Sequence, residues 1–222
     1  MKKTHVSPLV GLSLIIPMCC AVYFHCGRQA LQQQKLWNGK DFSGWTLFIP
    51  GDSVDVNDVW SVEQDVIRCK GVPNGYMRTN ESYSDYRLHL EWRWVGEGSN
   101  SGVFLHCRGE DQLWPNCIEC QLKSGNAGDF VIIGPGTITV DGEVYNNENR
   151  FLSIPHRNEG IEKSIGEWNT YDIVCEGTSI TCSVNGVLQN AATDAFISSG
   201  PIALQSEGGP IEFKNIVLEK LR

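Results

Sequence analysis

The residues of this chain that can do chemistry fall in a few short stretches. Glu91-Trp92-Arg93 is one and His106-Cys107-Arg108 another. The third is CIECQLK, which supplies Glu119, Gln121 and Lys123. Glutamate and histidine exchange protons near neutral pH, so Glu119 and His106 are the candidate general base and acid. Arg93, Arg108 and Lys123 are the candidates for holding a developing oxyanion. No cofactor is required by these stretches; a divalent cation is an alternative way to hold that charge, with Glu91, Glu119 and His106 as its candidate ligands. His156, in the loop SIPHRNEGIEK, is a further candidate that would lean over a cleft from outside.

The stretch CIEC (117–120) also has the spacing of a metal knuckle or a redox pair. Its surroundings argue against both. If the stretch is a strand, positions alternate between faces. Ile118, Cys120 and Leu122 then face a core, while Cys117, Glu119, Gln121 and Lys123 face the other way. Cys117 and Cys120 cannot share one metal without breaking the strand, and no second CxxC or HxxxH follows to complete a zinc site.

The elements that position these residues read as strands. Short runs alternate in twos and are broken by Gly, Asn and Asp. In YRLHLEWRW (86–94), Tyr86, Leu88, Leu90, Trp92 and Trp94 point inward, and Arg87, His89, Glu91 and Arg93 outward. SGVFLHCRG repeats the scheme, with Val103, Leu105 and Cys107 inward and Phe104, His106 and Arg108 outward. VWSVEQDVIRCKG and YDIVCEGTSITCSVNGVLQ read as hairpins, the second turning at residues 176–179. The final strand loses strict parity among Phe213, Ile216 and Leu218, which a bulge near Asn215 repairs. Such strands, each with one apolar face, imply an all-β sandwich of two antiparallel sheets. If the three outward polar sets are neighbours, they form one polar surface. The plainer alternative is a solvated face laced with ion pairs.

Composition narrows the partners. The 222 residues carry 18 basic and 26 acidic side chains, a net of −8. Residues 1–26 hold Lys2 and Lys3, no acid and a short apolar run, the layout of a signal peptide or lipoprotein signal. Without them the balance is 16 basic against 26 acidic, or −10, which excludes nucleic acid as a partner. The expectation is an exported protein, periplasmic or held at the membrane by a lipid on Cys26. Residues 27–35 read as a tether and 36–222 as a single domain. Six cysteines remain in that domain, and free core thiols are the expected state for most.

Motifs along the domain are similar to a known family. They are LWNGKDFSGW (36–45), GYMRT (75–79), Asn100-Ser101-Gly102, IECQLKSGNAGDF (118–130), GEWNTYDIVCEG (166–177), VNGVLQN (184–190) and IALQSEGGPIEFKNIVL (202–218). Together they resemble the 3-keto-disaccharide hydrolase domain family. The resemblance implies a concanavalin-like jelly-roll sandwich of two curved antiparallel sheets with a sugar site on the concave face. It also implies action on glycosides oxidised at C3. There the ketone acidifies the C2 hydrogen, a base removes it, the C1 substituent leaves, and water adds back. By this resemblance Glu119 matches the acidic residue of the family's E-x-Q strand. Asn100-Ser101 match its N-S-G turn, and Trp168-Asn169 its E-W-N motif, so Trp168 is a candidate to stack on a sugar ring. His106 stands where the family often has arginine. Gln205 and Glu207 share a face whose role depends on the sheet it belongs to, and Asp129 is expected to bind its own backbone after a Gly-rich turn.

Two other functions fit the same residues. A sandwich of this kind also serves as a non-catalytic carbohydrate-binding module. A conventional glycosidase would use a carboxylate pair, with Glu91 and Glu119 as the pair.

Overall fold

The structure is a computed structural model that describes Met1 and residues 33–51 and 54–221. The chain divides into Met1–Ala30 and Leu31–Arg222, and only the second unit is described below. The expected signal, Cys26 and most of the tether lie outside the described residues. Residues 33–35, read as the end of the tether, are instead a strand paired with the C-terminal strand, Gln33 opposite Glu219.

The described residues of this unit form seventeen strands and one helical turn, α1 (Val56–Val59). Seven strands form one sheet, in the order β12 (Phe151–Ile154), β9 (Phe130–Ile133), β8 (Asn116–Gln121), β7 (Gly102–Arg108), β16 (Ala203–Ser206), β5 (Gly75–Thr79) and β2 (Trp45–Phe48). The other sheet has ten. It runs β11 (Glu143–Asn147), β10 (Gly136–Val140), β15 (Val187–Thr193), β14 (Ser179–Val184), β13 (Asn169–Glu176), β6 (Tyr86–Trp94), β17 (Ile211–Lys220), β4 (Val66–Cys69) and β3 (Trp60–Glu63), with β1 (Gln33–Lys35) also on β17. Every named strand pair is antiparallel.

One apolar cluster joins the two sheets. Leu88, Leu90 and Trp92 of β6 pack in it with Val103, Leu105, Ile118 and Cys120 of β7 and β8. Each such side chain stabilises the fold by about 1.5–3 kcal/mol through burial, so alternation is enforced wherever a strand faces this layer. The hairpin at residues 60–69 turns through Gln64 and Asp65, both with positive φ, the geometry of a two-residue hairpin loop. The bulge expected near Asn215 is present. The β17–β6 register shifts between Lys214 and Val217, and Asn215 takes φ 52°.

A second bulge was not expected. On β7 and β8, Leu105 pairs with Ile118 and Arg108 with Asn116, leaving His106 and Cys107 opposite Cys117 alone. His106 has φ 57°, a left-handed conformation in which histidine is enriched among non-glycine residues. The bulge inverts the expected parity. His106 turns into the core, fully buried with its ring edge-on to Tyr86 at 5.6 Å. Cys107 comes to the outer face.

Candidate functional site

The outer face of the seven-stranded sheet carries the candidate site. Cross-strand pairing places Ser153, Val131, Glu119, Phe104 and Ala203 in one row from β12 to β16. The neighbouring row holds Gln121 opposite Gly102, and Gln205 opposite Tyr76. Because positions alternate, these side chains share the face turned away from the core. Part of that face is apolar: Tyr76, Phe104, Cys117, Val131, Ile133 and Ala203 form a small cluster of their own.

A cavity of about 210 Å³ opens on this face. Its polar walls are Asn100, Glu119, Gln121, Ser153, Gln205 and Glu207, and its apolar walls Trp114, Val131 and Phe151. Pockets for drug-sized ligands run to roughly 300–1,000 Å³, so this one suits a smaller ligand. Trp114 and Phe151 meet edge-to-face at 5.5 Å on one side. The loop carrying Trp114 is tied down by Asp111, which accepts hydrogen bonds from Arg78 Nε at 2.7 Å, Arg78 Nη2 at 2.8 Å and Tyr76 Oη at 2.7 Å. The Arg78 guanidinium holds the Asp111 carboxyl below the ordinary value.

Glu119 is the deepest ionisable group here, 4% exposed, and its Oε1 has no hydrogen-bond partner. Burial first, and the nearby Glu207 second, push its pKa well up and favour its protonated form. Glu207 is less enclosed. Burial raises its pKa too, but hydrogen bonds from Gln205 and Asn100 and the charge of Lys123 pull the other way. Gln205 Nε2 donates to Glu207 Oε2 at 2.7 Å. Of the two carboxyls, Glu119 therefore keeps a proton first and Glu207 is the one that ionises. Asn100 Oδ1 and Gln205 Oε1 are also buried acceptors without partners. Three idle acceptors in one cavity favour a ligand rich in hydroxyl donors, since each costs about 1–3 kcal/mol while unpaired.

The Asn100-Ser101-Gly102 turn serves this site residue by residue. Asn100 lines the cavity. Ser101 Oγ donates to the Gln205 carbonyl at 2.8 Å and so ties β7 to β16. Gly102 leaves the space that Glu119 occupies.

Of the residues singled out in the sequence, Asn100, Glu119, Gln121, Gln205 and Glu207 line the cavity, and Lys123 faces Glu207 electrostatically from an exposed position. Gln121 spends its Oε1 on the N–H groups of Leu122 and Lys123, both at 3.1 Å. The others are elsewhere. Glu91 and Arg93 lie on the outer face of the ten-stranded sheet, where Glu91 binds Lys214 at 3.3 Å and Arg93 binds Glu212 at 2.7 Å. That face is separated from Glu119 by the whole core, because the inward residues of β6 and β8 meet there. Trp168 belongs to the same far face, with Arg93 Cζ 4.6 Å and Lys214 Nζ 4.1 Å from its ring centre. Its ring is engaged by these two cations on the face away from Glu119.

Arg108 is exposed and lies over Phe196. His106 sits in the core, where burial draws its pKa down to about 4. His156 is held by Asp129, whose Oδ1 accepts its backbone N–H at 2.7 Å and lies 2.5 Å from its Nδ1. Asp129 thus binds a distant loop rather than its own backbone. Glu91, Glu119 and His106 do not converge, so they cannot share a cation. Among the described residues no group of three or more His, Cys, Asp or Glu side chains is placed to hold a metal. The pairing of Glu91 with Glu119 as glycosidase carboxylates is overturned by the same separation.

Trp114, Phe151 and Ser153 were not foreseen. Trp114 lies in a loop without periodicity, and β12 shows its place only through its pairing with β9.

A structure from Parabacteroides distasonis, described as a putative glycosyl hydrolase, matches 86% of this chain and 94% of its own at 21% identity and a TM-score of 0.63. Carbohydrate-binding module CBM66 from Bacillus subtilis matches 80% of this chain and 96% of its own at 12% identity and a TM-score of 0.55. The Bacillus licheniformis β-glucanase matches 88% and 100% at 13% identity and a TM-score of 0.57. At these identities the likeness is one of fold, and it is the jelly-roll sandwich. No curated protein matches the chain. A family model does match, over residues 32–219. The chain belongs to the 3-keto-alpha-glucoside-1,2-lyase-like domain family.

Proposed function

We propose that the chain is a carbohydrate-active enzyme that cleaves glycosides carrying a ketone at C3. The observation that carries this reading is the buried Glu119, its Oε1 without a hydrogen-bond partner, in one cavity with the less enclosed Glu207. In the proposed reaction Glu207 takes the proton from C2. Glu119, as a protonated carboxyl, donates to the C3 oxygen while that oxygen gains enolate charge. The electron pair then expels the C1 substituent, and Glu207 returns its proton to the leaving oxygen. Water adds at C1 and a proton at C2, giving a free 3-keto sugar and an alcohol. A carboxylic acid kept neutral to donate to a developing oxyanion is a known enzymatic device. Asn100 and Gln205 hold ring hydroxyls, and Trp114 and Phe151 cover the apolar side. A substrate-binding role for Lys123 at the rim is part of the same proposal.

The test is a product assay on the domain without residues 1–26. Wild type, Glu119→Gln and Glu207→Gln are incubated with 3-keto-trehalose or 3-keto-glucosides, and reducing-sugar release is followed. Turnover by wild type and a fall of at least about 10²-fold in each variant is expected. Binding of unmodified glycans with no turnover of any keto-sugar would move the assignment to a carbohydrate-binding module. The three idle acceptors also suit that function. Export, with lipid attachment at Cys26 as one route, is proposed from residues 1–26. Cell fractionation tests it, and recovery of the full-length chain from the cytoplasm would refute it.

A further inference from the structure

The bulge that buries His106 has a second effect: it brings two thiols together. Cys107 and Cys117 face each other at the point where β7 has one residue too many. Both belong to the small outer cluster with Tyr76 and Phe104. The ladder pairs on either side, Leu105 with Ile118 and Arg108 with Asn116, hold the two strands together at this point, and a disulfide spans Cα atoms about 4.4–6.8 Å apart. Cys107 is partly exposed and Cys117 buried. The described domain's other cysteines, 69, 120, 175 and 182, are all buried in the main core, where no oxidant reaches them without unfolding.

We propose that Cys107 and Cys117 are a disulfide-forming pair that staples the neck of the loop between β7 and β8. The bond would close residues 108–116, which include the clasped Asp111 and the cavity-lining Trp114. The co-reactant is a small-molecule disulfide such as oxidised glutathione. The Cys107 thiolate attacks one glutathione sulfur and expels the other as a thiolate, leaving a mixed disulfide. The Cys117 thiolate then attacks Cys107 Sγ and expels the second glutathione. Two protein thiols are oxidised, one glutathione disulfide is reduced, and both protons end on glutathione. Burial pushes the Cys117 thiol up, so the second step is the slow one and the mixed disulfide is a visible transient.

The experiment uses the reduced, folded chain, treated with oxidised glutathione, alkylated and digested without reductant. The expected result is a linked pair of peptides containing Cys107 and Cys117, two hydrogens lighter than their sum, with the other core cysteines reduced. Oxidation should also raise Tm by roughly 5–10 °C in wild type. Cys107→Ser should abolish both the linked peptide and the Tm rise. Stable glutathionylation of Cys107 with Cys117 still free, no reaction at all, or linkage to another cysteine would each overturn the proposal. The wild-type peptide map decides the matter even if a Cys117 variant does not fold.

Discussion

Gly102 and Glu119 are fitted to each other: a Cβ on Gly102 would stand 1.9 Å from Glu119 Oε1 and 2.7 Å from its Cδ. The glycine is there for space, since it has no positive φ to require it. Gly102→Ala must therefore displace the carboxyl from the cavity. The expected outcome is a loss of keto-glycoside turnover of about 10²-fold and a stability cost of about 1–3 kcal/mol from overpacking. Adding Glu119→Ala should recover most of that stability and none of the activity. Urea unfolding of the single and double variants measures the coupling; additive effects would show that the two residues do not crowd each other.

Glu119 also makes stability depend on pH. Its folded pKa lies well above the ordinary value of 4.5 because burial disfavours the charge. Its contribution is fully present below that value and is lost as pH rises from there towards the folded pKa, at up to about 1.4 kcal/mol per unit. Glu119→Gln should remove this slope and leave the protein more stable than wild type near neutral pH. Activity should fall at the same time. Parallel unfolding curves for the two proteins at pH 5 and pH 7 would contradict the assignment.

His106 works in the opposite direction. Its folded pKa of about 4 lies below the ordinary 6.5 because burial disfavours the imidazolium. Stability is intact above pH 6.5 and falls as pH drops towards 4, by up to roughly 3 kcal/mol. His106→Asn keeps a residue that tolerates the left-handed backbone and abolishes the titration. Its acid unfolding midpoint should shift to lower pH, while turnover at pH 7 stays within a few-fold. A loss near 10²-fold in a folded His106→Asn protein would return His106 to the catalytic set.

The far face gives a control. Glu91→Gln and Trp168→Ala remove groups that the core separates from Glu119. Turnover per folded molecule should stay within about twofold for both. Glu91 is partly exposed and its ion pair with Lys214 is worth about 0–1 kcal/mol. Trp168→Ala costs more, because two cation–π contacts of about 0.5–1 kcal/mol each are lost with the ring. Steady-state kinetics beside thermal melts separates these effects.

The cavity wall provides a fifth check. Asp111→Asn weakens the grip of Arg78 and Tyr76 on the loop that carries Trp114. KM for a keto-glycoside should rise several-fold with kcat little changed, since Asp111 does not line the cavity. A fall in kcat at constant KM would place the loop in the chemistry instead.

Alternation and its interruption account for what was readable in advance. The two-residue period of β6 and β8 followed from sequence alone, because one face of each strand must enter the core and a slip of one residue would bury charge. Hence Cys117 and Cys120 were seen to diverge, Glu119 and Gln121 were placed on an outer face, and the odd parity near Asn215 pointed to its bulge. The family motifs brought Asn100 and Glu119 forward together. Only the tertiary structure decided which outer faces coincide. Strand order is set by pairing between distant segments, and period-two patterning is blind to it; β6 and β8 proved to lie in different sheets, which removed Glu91, Arg93 and Trp168 from the site. Alternation alone puts Glu207 on one face with Gln205, but the sheet that face belongs to was settled by the pairing of β16 with β7 and β5. The bulge at His106 was equally invisible, for histidine's enrichment in left-handed backbone does not say which histidine adopts it, and the gain from packing its ring on Tyr86 exists only once the two sheets have met.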